Sequence, residues 1–185
     1  ILSALITGCA FIIFFVFLSQ KIHRKPIDSA TARALESVAR LAMLLLAVMM
    51  VFTVWKILTT SVGNPSAAAA INALLAGSFA FNFWVLEILG GIIIPFILLL
   101  AAKGKNIIMI FVASAIMIFS IFFTRLDMVV VGQIVPLYWD LDVVEASSLH
   151  GYMPSISEIL VVLGGIGFCA LAFLLGEKVF DGFKK

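Results

Sequence analysis

Charge is what this sequence has least of: Asp, Glu, Lys and Arg together make up 12% of its 185 residues, about half the share usual in soluble domains. With 64% hydrophobic residues and a mean hydropathy of +1.25, that scarcity excludes a soluble globular fold. The net charge of +2 supplies no basic surface for nucleic acid. Cysteine is nearly absent, and Cys9 and Cys169 stand in apolar runs without a CxxC or a histidine at metal spacing. Both are read as packing residues rather than zinc ligands or a redox pair. The two histidines, His23 and His150, fall outside the apolar runs, so no bound haem or metal is expected. Strand-type alternation is missing as well, which leaves helices rather than a barrel to satisfy the backbone in lipid.

What is present is a series of charge-free runs, about 1–20, 41–55, 88–102, 106–124 and 159–176. Each is near, or extendable to, the roughly 20 residues that cross a 30 Å hydrocarbon layer as a helix. The expected fold is therefore an all-α integral membrane protein with about five transmembrane helices, at 2–19, 30–58, 77–102, 106–124 and 154–178. One transmembrane domain over 1–185 is expected, with an outer loop at 125–153. The chain opens on Ile1 in an apolar run without a basic leader region, so a piece of a longer polypeptide is expected.

Lys and Arg set the orientation. The first connection carries Lys21, Arg24 and Lys25, the second nothing beyond Lys56, the third Lys103 and Lys105, the fourth only Arg125, and the tail Lys184 and Lys185. This alternation follows the positive-inside rule, with the N-terminus outside and the C-terminus inside. Lys56, near the end of the second helix, is read as snorkelling to the interface. After Gly63-Asn64-Pro65, a short Ala-rich helix is expected along one membrane face.

Ionisable groups within spans carry the functional reading, because each costs several kcal/mol in hydrocarbon unless it is paired, protonated or hydrated. Glu87 is expected near the midplane of the third span, one turn from Gly91 and two from Pro95. Pro95 cannot donate to the Gly91 carbonyl, so this is a place for ordered water. Glu87 is read as a proton relay or as a hydrogen-bonded strut between helices. Glu36 and Arg40, at i,i+4, form an interfacial pair or the polar entrance of a proton path. Glu158 heads a line of small residues, Gly165, Cys169, Ala172 and Gly176, and serves either that path or the dipole of its own helix. Arg125 pairs with Asp127 or Glu158, or snorkels. In the polar stretch that follows, Gln133, Tyr138, Trp139, His150 and Tyr152 are read as anchors or a cap at the membrane surface.

Taken in order, Trp84 and Glu87 as WxxE, then Gly90, Gly91 and Pro95, the run RLDMVVVGQIVP from Arg125 to Pro136, and YMPSISE from Tyr152 to Glu158 form a set. It resembles the C-terminal half of the NrfD/PsrC (polysulfide reductase) membrane subunits over about residues 77–180, the second helical bundle of an NrfD-like subunit. The first two helices match only in type. The resemblance implies a haem-free subunit in a prokaryotic cytoplasmic membrane, with no cofactor bound in this chain and quinone or quinol as substrate of the complex. It also implies an iron-sulfur subunit docked on the outer face and further catalytic or cytochrome subunits beyond it. Family members usually have eight to ten helices and a quinone pocket mainly in their first bundle. Glu87, Arg125 and Glu158 therefore carry over as polar positions of the second bundle, and with Asp127 they are read as a proton path toward Glu36 and Arg40, while Gln133, Tyr138, Trp139, His150 and Tyr152 are read as contacts for a partner or a quinone headgroup. The competing reading is a fragment of a secondary transporter or ion channel with Glu87 at a midplane site, which predicts an internal repeat that the sequence does not show. A purely structural anchor for a partner leaves the buried acids unexplained.

Overall fold

In the computed structural model, residues 1–23, 27–63, 65–77, 79–102, 106–134 and 155–179 are described. All regular structure among them is helical: α1 (Leu2–Ile22), α2 (Ser29–Ser61), α3 (Pro65–Leu75), α4 (π-helical over Asn82–Ile93, α-helical over Ile94–Ala102), α5 (Ile107–Ile134) and α6 (Ile156–Val179). Five of these are long and apolar enough to cross a membrane, over Leu2–Ile22, Ser29–Ser61, Asn82–Ala102, Ile107–Val129 and Ile156–Gly176. The chain forms two compact units, Ile1–His150 and Gly151–Lys185. The first holds α1 to α5 and the second holds α6.

Local chemistry explains the boundaries. Asp28 caps α2 by accepting a 2.8 Å hydrogen bond from the Ser29 amide, one of the four amides that a helix start leaves unpaired. The turn at Val62 and Gly63 ends α2, and Pro65 opens α3, where its missing amide costs nothing. Inside the spans, hydroxyls turn back onto their own helix: Thr7 on the Ser3 carbonyl at 2.6 Å, Thr53 on Met49 at 2.9 Å and Ser114 on Phe111 at 2.7 Å. None of these three hydroxyls is left to seek water in hydrocarbon.

The core of the first unit joins Ile6, Ala10 and Ile13 of α1, Leu35, Ala39, Ala42 and Leu46 of α2, Leu99 and Ala102 of α4, and Ile110, Ala113 and Met117 of α5. Ala10, Ala42 and Ala113 are fully buried, because helices in lipid gain by bringing backbones close over small residues. Phe14 and Phe17 stack on Phe111, with ring centroids 5.2 and 4.3 Å apart, and fasten α1 to α5.

Two boundaries differ from the sequence reading, and both matter for function. The apolar run places the end of the fourth span at 124, but α5 continues to Ile134, so Arg125 and Asp127 are helical residues and not part of a loop. The third span begins at Asn82 instead of 77. Glu87 consequently stands about a quarter of the way along the segment Asn82–Ala102. The remainder of the expected outer loop, from 135 to 153, lies outside the described residues.

The π-helical start of α4 has a physical cause in the same segment. Pro95 has no amide to give to the turn before it, and the Gly90-Gly91 pair tolerates a widened turn. The Ile94 amide bonds back five residues, to the Leu89 carbonyl. From α5, the Ser120 hydroxyl donates to the Leu86 carbonyl. A side chain at Gly91 would block this contact, since a Cβ there would stand 2.5 Å from Ser120 Oγ.

Candidate functional site

The beginning of α1, the end of α2, α3, the beginning of α4 and the last turns of α5 meet at one end of the first unit. They enclose a cavity of about 490 Å³ lined by Ser3, Thr53, Lys56, Thr60, Glu87, Thr124, Arg125 and Asp127 among polar residues. Met49, Phe52, Ile71, Leu74 and Met128 supply its apolar walls. Glu87 is 7% and Asp127 2% exposed, whereas Lys56 and Arg125 are exposed. Both carboxyl oxygens of Asp127 are buried without closing a hydrogen bond; the Asn82 side chain and the Lys56 ammonium are the groups that act on it. Lys56 and Asp127 also act electrostatically on Glu87. Two acids and two cations therefore face one space, with no ion pair closed between them among the described residues.

A smaller cavity, of about 30 Å³, continues inward from Glu87 past Gly91, Ile92, Met117, Ile121 and Thr124. That is room for about one water molecule, at the place where Gly91 lacks a side chain. α3 roofs the larger cavity with Ala67, Ala70, Ile71 and Leu74. It is tied down by Trp84, whose indole donates a 3.0 Å hydrogen bond to the Leu75 carbonyl. The ring of Trp84 also meets the buried Phe83 edge to face, at 5.3 Å.

Of the residues singled out in the sequence, Glu87, Arg125 and Asp127 come together here. Glu36 and Arg40 form their expected ion pair, but at the far end of α2. About 30 Å of helix separates Glu36 from Lys56, and the face of α2 between them packs Ala39, Ala42, Leu45 and Leu46 into the apolar core. Glu158 lies in the second unit, where it and Ser155 form a reciprocal cap at the start of α6. The Ser155 amide donates to Glu158 Oε2 at 3.2 Å, and the Glu158 amide to Ser155 Oγ at 3.4 Å. Its S-x-x-E spacing is a capping box. Gln133 lies in α5 with its side chain outside the description, and Tyr138, Trp139, His150 and Tyr152 lie outside the described residues altogether.

Lys56 is the member whose role sequence reasoning missed. In the sequence Lys56 reads as an interfacial anchor, because its position near a helix end accounts for an isolated lysine. The folding of α3 and α4 back over that end is what turns it into a cavity residue. Among the described residues, no group of three His, Cys, Asp or Glu side chains could hold a metal ion.

Comparison with known proteins adds a lineage to this geometry. The sequence model of the family described as polysulphide reductase, NrfD, matches residues 1–136. That match takes in α1 and α2, which the short motifs do not cover, and ends before α6. A selenate reductase subunit of Mesobacillus selenatarsenatis is 30% identical over 116 residues, which cover 62% of this chain and 27% of that relative. The matched stretch thus spans about a quarter of the relative's length. No solved structure gives a significant match. The match over residues 1–136 includes more than half of the chain and every element that builds the cavity, and by it this multi-pass helical membrane protein belongs to the polysulphide reductase NrfD family.

Proposed function

We propose that this chain is a membrane subunit of a respiratory oxidoreductase complex in a prokaryotic cytoplasmic membrane, and that its cavity is where the complex meets membrane quinone or quinol. The observation that carries the reading is the pair of buried carboxyl groups, Glu87 and Asp127, facing one apolar-walled cavity with Lys56 and Arg125 at hand. A volume of about 490 Å³ suits a single aromatic headgroup, within the roughly 300–1,000 Å³ range of small-molecule sites. Family membership and the relative named as a reductase subunit support the same assignment.

Oxidation of one quinol releases two electrons and two protons. Glu87 and Asp127 can each take one of those protons, and the reverse reaction draws them back. Lys56 and Arg125 balance the two carboxylates when both are ionised, so the site as a whole favours a neutral ligand. The electrons pass to or from an iron-sulfur subunit docked at the cavity end of the helices. The basic residues Lys21, Arg24 and Lys25 follow the opposite end of α1, which supports placing the cavity end toward the outer face. From Glu87 the 30 Å³ cavity leads protons inward only as far as Met117 and Ile121, so exchange with the outer side is the shorter route.

The test is Glu87→Gln and Asp127→Asn in the intact complex, with quinol-linked turnover as the readout. Each substitution should lower turnover by about tenfold or more, short of the roughly 10²–10⁴-fold that a positioned acid or base contributes because the other acid remains. Native turnover in both variants, at native levels of assembled complex, would remove the cavity from the mechanism.

A further inference from the structure

We propose that Trp84 is a positioning residue whose indole N–H latches the end of α3 over the cavity, so that α3 is a lid secured there by a hydrogen bond from α4. The proposal rests on the reading of the cavity as a ligand site, and its test is built to separate the two.

Three observations carry it. Leu75 is the last residue of α3, and its carbonyl is among those a helix end leaves without a partner inside the helix. The Trp84 indole supplies the missing donor at 3.0 Å, across the turn between α3 and α4. Trp84 itself is fixed from below, because Phe83, which it meets edge to face, is only 1% exposed.

The second observation is what α3 covers. Ala67, Ala70, Ile71 and Leu74 face the cavity, and Ile71 and Leu74 are buried. The buried side of α3 is thus largely the roof of the ligand site.

The third is the sequence spacing. Trp84 precedes Glu87 by three residues, less than one turn, on the same wound segment, and Ser120 holds the Leu86 carbonyl between them. The latch and the acid are therefore mounted on one rigid piece. Movement of α3 relative to Trp84 is movement relative to Glu87.

The experiment uses the full chain in its native membranes, carrying Ala70→Cys with Cys169→Ser and probed with a membrane-permeant maleimide. Trp84→Phe keeps an aromatic ring but removes the donor. It should raise the labelling rate at position 70 by about fivefold, the factor that losing one neutral hydrogen bond makes in an opening equilibrium. Cys9, buried in the core, serves as the internal control and should stay unlabelled. In the assembled complex the same variant should raise KM for a short-chain quinol while leaving kcat near its native value. Equal labelling at position 70 with and without the indole would overturn the latch, as would labelling of position 70 and Cys9 rising together. Should Trp84→Phe fail to accumulate, the benzothiophene isostere of tryptophan at position 84 retains the shape without the N–H and is read in the same way. Protection of position 70 by a short-chain quinone tests the ligand reading alone: a latch effect without protection would keep the lid and remove the quinone.

Discussion

The two ends of the first unit hold the same kinds of charge in opposite circumstances. At one end Glu36 and Arg40, one turn apart on α2, close an ion pair with Arg40 70% exposed. At the other, Glu87 and Asp127 come from different helices, are buried, and share a cavity with Lys56 and Arg125 without closing a pair. The first arrangement is satisfied by its own helix and needs nothing more. The second is kept together only by the packing of α4 on α5 and of α3 over both, and it leaves polar groups available to something that enters. Ionisable residues in a membrane protein are thus told apart by whether their own helix can satisfy them.

That contrast can be broken or sharpened in order of expected effect. Changing both cavity acids, Glu87→Gln with Asp127→Asn, should lower quinol-linked turnover by about a hundredfold or more in assembled complex; a loss no larger than that of either single change would show that the two acids act as one group. Gly91→Ala should destabilise the chain by about 1–3 kcal/mol, because its new methyl meets Ser120 Oγ and overpacking must displace α4 or α5. Thermal unfolding in detergent measures this, and adding Ser120→Ala should recover part of the loss. Lys56→Met should lower turnover severalfold while Lys56→Arg largely preserves it, if cationic charge is what the cavity needs from this position. The smallest effect belongs to the other end: Glu36→Gln or Arg40→Ala should cost about 0.5 kcal/mol or less and leave turnover unchanged. A large turnover loss in those variants would instead restore a proton path along the length of α2.

Much of this was legible in the residues themselves. Long charge-free runs cannot be anything but spans, and the Glu36–Arg40 pair and the short α3 helix follow from spacing and turn chemistry alone. Asp127 shows where such reading stops. A charged residue two positions beyond an arginine at the end of an apolar run looks like loop, and only the packing of α5 against α4 makes it 2% exposed. Lys56 is the same lesson with the opposite sign, since its neighbours in the cavity are supplied by segments roughly 30 and 70 residues away along the chain. Glu158 went the other way. Its S-x-x-E cap was written in four consecutive residues, a purely local signal beside the stripe of small residues that drew attention to it.

The wound segment Asn82–Ile93 also bears on how relatives should be compared. A helix that bonds five residues back spends more residues on each turn than one that bonds four back, so it is entered by inserting a residue and left by deleting one. A single deletion between Gly90 and Ile93 is therefore absorbed by tightening a wide turn to an α-helical one, which keeps Trp84 and Glu87 on their side of Ile94–Ala102. A one-residue gap here is therefore the expected mark of a homologue wound as an ordinary α-helix, and an ungapped alignment the mark of one that keeps the wide turns.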